Sequence, residues 1–192
     1  MTDAIHLLIE RYGLIAVFLG CVAEGESAAV LAGFFAHQHV FNAAGAFLAV
    51  FGGAFLGDAL FFMAGRRFAA HPFVVRQAAR PGFSRALELV AKRPATYVML
   101  NRYAYGFRLV GGVAAGLSSI PAGKFVALNA VSSAVWAVLF LGAGYLLGAG
   151  AEQLVGQELA RHERLLIGLG IGLVTTLLAA VAAHHYARRA KG

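Results

Sequence analysis

The feature that most constrains this chain is a set of long apolar runs from which charge is almost absent. Ala43 to Gly65 holds one charged side chain, Asp58, and Phe125 to Leu147 holds none. A helix needs ~20 predominantly apolar residues to cross the ~30 Å hydrocarbon core of a bilayer, and both runs are long enough. A third run, about Leu165 to Ala183, is long enough too, and a hydrophilic stretch, Glu152 to Arg164, is expected to form the loop between it and the second. Of the 192 residues 60% are hydrophobic and 13% charged, against about 25% charged in soluble domains. Such a chain cannot bury its apolar residues in one aqueous core and still cover its surface. It reads as an all-α integral membrane protein, one membrane domain over residues 1–192.

Two other apolar stretches are broken by polar residues. Ala4 to Ala23 meets Glu24-Gly25-Glu26-Ser27, and a run of about ten residues, Ala28 to Ala36, follows. The second arm is too short to span, so the pair predicts a helical hairpin that enters the membrane and turns back. Such breaks survive at depth only inside protein or beside a wet cavity. Ala95–Leu100, Asn101-Arg102-Tyr103-Ala104-Tyr105-Gly106-Phe107-Arg108 and Leu109–Leu117 predict a second hairpin of the same kind. Between them, residues 67–94 interleave Arg76, Arg80, Arg85, Lys92 and Arg93 with apolar side chains. That spacing predicts a basic amphipathic surface segment, broken near Pro81-Gly82.

The basic segment and the tail His184–Lys191 are expected on the cytoplasmic side, since Lys and Arg concentrate there. The net charge of +7 is therefore read as anchoring to anionic lipid, with no nucleic acid partner. With the connector and tail both inside, the second hairpin enters from the cytoplasmic face and the first from outside. A C-terminal transmembrane helix, about residues 165–186, returns the chain to the cytoplasm. The N-terminus opens Met1-Thr2-Asp3 without a basic leader, so no cleavable signal is expected.

A single shift, Ala44 onto Ala122, aligns two repeats, about residues 4–66 and about residues 95–149, hairpin on hairpin and span on span. It carries Ala44-Gly45-x-Phe47-x-Ala49 onto Ala122-Gly123-x-Phe125-x-Ala127, and Leu31-x-Gly33-x-x-Ala36 onto Leu109-x-Gly111-x-x-Ala114. Halves that enter from opposite sides form an inverted repeat, the plan of many secondary transporters. The same shift sets Glu24 opposite Arg102.

Glu24, Glu26, Asp58, Arg102 and Arg108 are the charges placed at depth. Each costs at least ~2.5–3.5 kcal/mol at mid-bilayer and needs a partner or a wet cavity. One reading is that they only hold the hairpins together. The other is a transport site. Arg102 and Arg108 suit a phosphate, because guanidinium binds it bidentately, and a bend at Gly106 would let both converge on one anion. Glu24, Glu26 and Asp58 would couple protons, since desolvation favours the neutral acid. Cys21, the single cysteine, excludes an internal disulfide and a cysteine-built metal site. No metal, cofactor or catalytic residue is assigned, and Ser118-Ser119 lacks a histidine in a plausible partnering span. His37 and His39 read as interfacial residues on the outer side.

On these residues the chain resembles the DedA family, bacterial members of the group with the VTT (SNARE-associated) domain. The resemblance covers roughly Arg11 to Gly150. It rests on Glu24-Gly25-Glu26-Ser27 with Leu31-Ala32-Gly33, Gly57-Asp58 with Gly65-Arg66-Arg67, Arg102-x5-Arg108, Ala115-Gly116, and Asn129 followed by Trp136. It implies an inner-membrane flippase or scramblase for a phosphate-bearing lipid, undecaprenyl phosphate or phosphatidylethanolamine, linked to the proton motive force. It implies Glu24, Glu26, Arg102 and Arg108 as functional residues, with Asp58 beside them. Here Tyr105-Gly106 replaces the family's usual Pro-Gly, and Ser132 stands where a Gly is expected. The expected partners are lipids with phosphate headgroups and protons, with homo-oligomerisation left open. The rival readings are a proton-coupled carrier of small ions or oxyanions and a non-transporting envelope scaffold.

Overall fold

The computed structural model describes residues 2–78, 81–103 and 108–155. Among them all regular structure is helical: α1 (Thr2–Ala23), α2 (Glu26–His37), α3 (Ala43–Arg67), α4 (Pro72–Ala78), α5 (Pro81–Lys92), α6 (Pro94–Leu100), a 3-10 turn (Asn101–Tyr103), α7 (Arg108–Leu117) and α8 (Ala122–Val155). Among the described residues two helices are long and apolar enough to cross a membrane, α3 and the Ala122–Gly150 part of α8. The expected C-terminal span, the basic tail and the bend at Gly106 lie outside the described residues.

Helix ends follow local chemistry. Gly25 adopts φ 108°, which only glycine takes without strain, so α1 stops and α2 starts within two residues. The N–H groups of Glu24 and Gly25 both return to the Gly20 carbonyl, at 2.8 and 3.1 Å. Asn42 caps α3, its Oδ1 accepting the Gly45 N–H at 2.6 Å. All four prolines mark helix starts: Pro72, Pro81 and Pro94 open α4, α5 and α6, and Pro121 precedes α8. A missing N–H costs nothing at that position.

Two expectations are corrected. The run Phe125–Leu147 was expected to end before a hydrophilic loop at Glu152, yet α8 continues to Val155. Glu152 has a reason to stay helical: its Oε2 lies 2.9 Å from His37 Nε2, and Tyr145, nearly two turns earlier, meets the same imidazole edge to face. The apolar face of α5 was expected on the membrane surface. Ala86 and Val90 are instead buried against Ala114 of α7, with Phe83, Leu87, Tyr97 and Val110 around them. Protein covers Ala86 and Val90, while Leu87 is part-buried and Leu89 exposed.

The chain divides into two compact units, residues 1–54 with 136–192 and residues 55–135, so the divisions fall inside α3 and α8. In the first unit Val17, Cys21, Ala29, Ala32, Phe41, Val50 and Trp136 form the core. There α2 lies against the C-terminal half of α8 with almost no side chain between. A Cβ on Gly33 would strike the Leu141 carbonyl, and one on Gly144 would strike the Val30 carbonyl. In the second unit Phe62, Val98, Ala115, Ile120 and Phe125 form a core, with the Phe62 and Phe125 rings stacked at 3.9 Å between centroids. There α7 lies against the C-terminal half of α3. A Cβ on Gly65 would meet the Val113 carbonyl, and one on Gly116 the Phe62 carbonyl. In both crossings each glycine faces the carbonyl three residues before the partner glycine, and one turn away the helices meet again in the same order, Gly148 against His37 and Gly112 against Phe61, so the register is parallel. Backbones approach this closely only at small residues, the usual seam of helices packed in lipid.

Arg66 closes the second crossing. Its Nε donates to the Gly116 carbonyl at 3.2 Å, and its Nη2 to those of Ser118 and Ile120 at 3.0 and 2.8 Å. These are carbonyls at and just beyond the end of α7, which lack helical partners.

Candidate functional site

The second unit buries a charged cluster on three elements. Asp58 lies on α3, next to Gly57, in a run otherwise free of charge. Arg102 lies in the 3-10 turn that ends α6, and Asn129 lies on α8. Their relative exposures are 7%, 4% and 1%, low enough that no charge among them is hydrated by bulk water. Arg102 Nη2 donates to Asp58 Oδ2 in an ion pair, and to Asn129 Oδ1 at 3.3 Å.

Asn129 is held from the other side. Its Nδ2 donates to the Phe55 carbonyl at 3.0 Å, and Ser133 Oγ donates to its Oδ1 at 3.4 Å. That network fixes which amide atom faces the guanidinium. Ser132 Oγ donates to the Met99 carbonyl at 2.9 Å, tying α8 to the end of α6 just before Arg102. Asn101, the residue before Arg102, fills the place a Cβ on Gly111 would take, so Gly111 lets the turn seat against α7. A cavity of about 10 Å³ lies against Asp58, Asn101 and Asn129, about the space one water requires.

The expected site residues fall in both units. Glu24 and Glu26 belong to the first. Glu24 is exposed in the turn and accepts a hydrogen bond from Ser27 Oγ at 3.3 Å, while Glu26 opens α2 and is half-buried. A carboxylate in that first turn also suits the positive end of the helix dipole. Asp58 and Arg102 belong to the second unit and meet directly. Arg108 opens α7, and its side chain lies outside the described residues.

The sequence places Glu24, Glu26 and Asp58 at depth without saying which of them meets Arg102, and the structure pairs it with Asp58. The 3-10 turn is the reason, because it directs Arg102 towards α3 and α8. Asn129 and Ser133 were not assigned to the site. Their signal is present all the same: Asn129, Ser132 and Ser133 lie at i, i+3 and i+4, one polar face on an otherwise apolar span.

This arrangement can hold a guanidinium ready for an anion while a carboxylate occupies it.

The sequence model of the VTT domain matches residues 22–146, which takes in Glu24, Glu26, Asp58, Arg102 and Asn129. The chain is 33% identical to inner membrane protein YohD of Escherichia coli over 144 residues, 75% of each chain. It is 28% identical to membrane protein slr0232 of Synechocystis over 158 residues, covering 76% of this chain and 72% of the relative. It is 27% identical to membrane protein YbfM of Bacillus subtilis over 158 residues, covering 76% of this chain and 97% of that one. No solved structure matches the chain. With apolar helices long enough to span, a buried charge cluster within the matched region, and these relatives, the chain belongs to the VTT-domain (DedA) family of membrane proteins.

Proposed function

We propose that the protein carries a phosphate-bearing lipid across the bacterial inner membrane, with the phosphate displacing Asp58 from Arg102. The buried Arg102–Asp58 pair, held by Asn129, is the observation that carries this reading. A permanent cation buried in a membrane protein is costly, and retaining it is most readily understood where an anion is to be bound. Protonating Asp58 releases the guanidinium to a phosphodiester or monoester, and losing that proton restores the pair and expels the headgroup. Glu24 and Glu26 at the first hairpin supply further proton-binding groups, and Arg108 is the second arginine for the headgroup.

The two glycine crossings support the inverted-repeat topology. The second arm of the first hairpin packs on the span that follows the second hairpin, and the second arm of the second hairpin packs on the span that follows the first. Two re-entrant hairpins exchanged between repeats produce this reciprocity. In that topology the basic α4–α5 segment and the C-terminus are cytoplasmic, and His39 is external.

Asp58→Asn keeps the shape of the pair and removes its negative charge. Phosphate-lipid binding in the variant should become tighter, while net transport in proteoliposomes falls at least ~10-fold because release is lost. Transport with wild-type rate and pH profile would remove Asp58 from the cycle. A second reading draws weight from the water-sized cavity at Asp58: carriage of small ions or oxyanions through the same cluster. Uptake of a soluble anion that ignores lipid headgroup chemistry distinguishes it.

A further inference from the structure

A second cavity in residues 55–135 lies apart from the charge cluster. It is a cleft of about 400 Å³ between the last turns of α5, the first residue of α6, the α7–α8 turn and the first turn of α8. That volume lies within the ~300–1,000 Å³ of small-molecule sites. Its walls are apolar, with Leu87, Val90, Ala91 and Ile120 among them, and Lys124 and Ser119 stand at its rim.

Two observations indicate what fills it. The first is depth. The end of α3 and the start of α8 meet at this turn, because Arg66 hydrogen-bonds the carbonyls of Gly116, Ser118 and Ile120, and the apolar part of α8 begins at Ala122. Where two membrane-crossing helices end together, the surroundings are lipid headgroups. The second is charge. Lys124 is exposed at the cleft, and the chain between its lining residues Ala91 and Pro94 is Lys92-Arg93, both exposed, against the single acid Glu88 on α5.

We infer that this cleft binds one anionic phospholipid of the adjoining leaflet, its phosphate on Lys124 and its upper acyl or glycerol portion against Leu87, Ala91 and Pro94. Ser118 Oγ already donates to the Ala115 carbonyl at 2.6 Å, so the exposed Ser119 is the hydroxyl available to a headgroup oxygen. A lysine suits this place: its charge follows a mobile headgroup without fixing its orientation. The inference rests on α3 and α8 crossing the membrane, and it is independent of any lipid being carried past Arg102.

Native mass spectrometry of the purified full chain tests it, with phosphatidylglycerol and phosphatidylcholine of matched chains as probes. Wild type should retain one phosphatidylglycerol in preference to phosphatidylcholine. Lys124→Gln should weaken that retention about fivefold, the worth of one basic residue near an anionic surface. Ala91→Trp, at an exposed position, should occlude the cleft and abolish it. The double variant Asp58→Asn/Arg102→Gln, which leaves no buried charge unpartnered, should leave it unchanged, so a failure here is separable from a failure of the transport reading. Retention equal to wild type in both Lys124→Gln and Ala91→Trp would overturn the site. Competition by soluble glycerol phosphate would overturn the lipid as its occupant.

Discussion

Arg102→Ala should destabilise the protein by about 3–5 kcal/mol, because it removes the ion-pair partner of the Asp58 carboxylate in a buried site. Thermal unfolding in detergent measures this. The double variant Asp58→Asn/Arg102→Gln replaces the ion pair with two neutral amides and should recover most of that stability, since neither partner is left charged. It should not recover binding of a phosphate-bearing lipid. Arg102→Lys isolates geometry. An ammonium retains the charge but lacks the planar fork, so phosphate-lipid binding should weaken by about 1–3 kcal/mol while the fold persists. A double variant that is stable and still binds phosphate lipid like wild type would reduce the cluster to a structural device.

The second large effect is expected at the glycine crossings. Gly33→Leu or Gly144→Leu forces α2 and α8 apart, and Gly65→Leu or Gly116→Leu does the same to α3 and α7. Overpacking typically costs ~1–3 kcal/mol and more where a backbone must move, so each Leu variant should lose most of its folded yield. The alanine series is more informative. Gly33→Ala and Gly144→Ala wedge one seam, so the pair should cost less than the sum of the singles. Strict additivity of that pair would show that the two glycines do not share a crossing. Folded yield and melting temperature in detergent give the comparison.

Much of the helical order was legible because single residues dictate it. Gly25 breaks the first hairpin through its backbone conformation, Arg66-Arg67 stops α3, and each proline falls where a helix begins. Packing was less legible. The amphipathic pattern of α5 specifies a buried face but not what buries it, and α7 supplies the cover for Ala86 and Val90. The extent of α8 was misread at Glu152 because a local hydropathy window does not register a partner at His37, far away in sequence.

The charge cluster shows the same division. Hydropathy alone marks Asp58 and Arg102 as costly and in need of partners. It does not say that they are partners of each other, since a 3-10 turn of three residues sets the aim of Arg102. Asn129 was visible as a polar residue in an apolar span, yet its place between Arg102 and the Phe55 carbonyl depends on α3 and α8 lying side by side at that level.

A headgroup-accessibility assay in proteoliposomes tests the central claim most directly. Purified wild type, Asp58→Asn and Arg102→Lys would be compared on a polyprenyl phosphate, on a labelled phospholipid and on a lipid of matched tails lacking the phosphate. Wild type should move a phosphate-bearing lipid, a proton gradient should alter the rate, and both variants should be slow. The phosphate-free lipid should not be accelerated by any of them. Equal movement of the phosphate-free and phosphate-bearing lipids by wild type, unchanged in Arg102→Lys, would contradict recognition of the lipid by its phosphate.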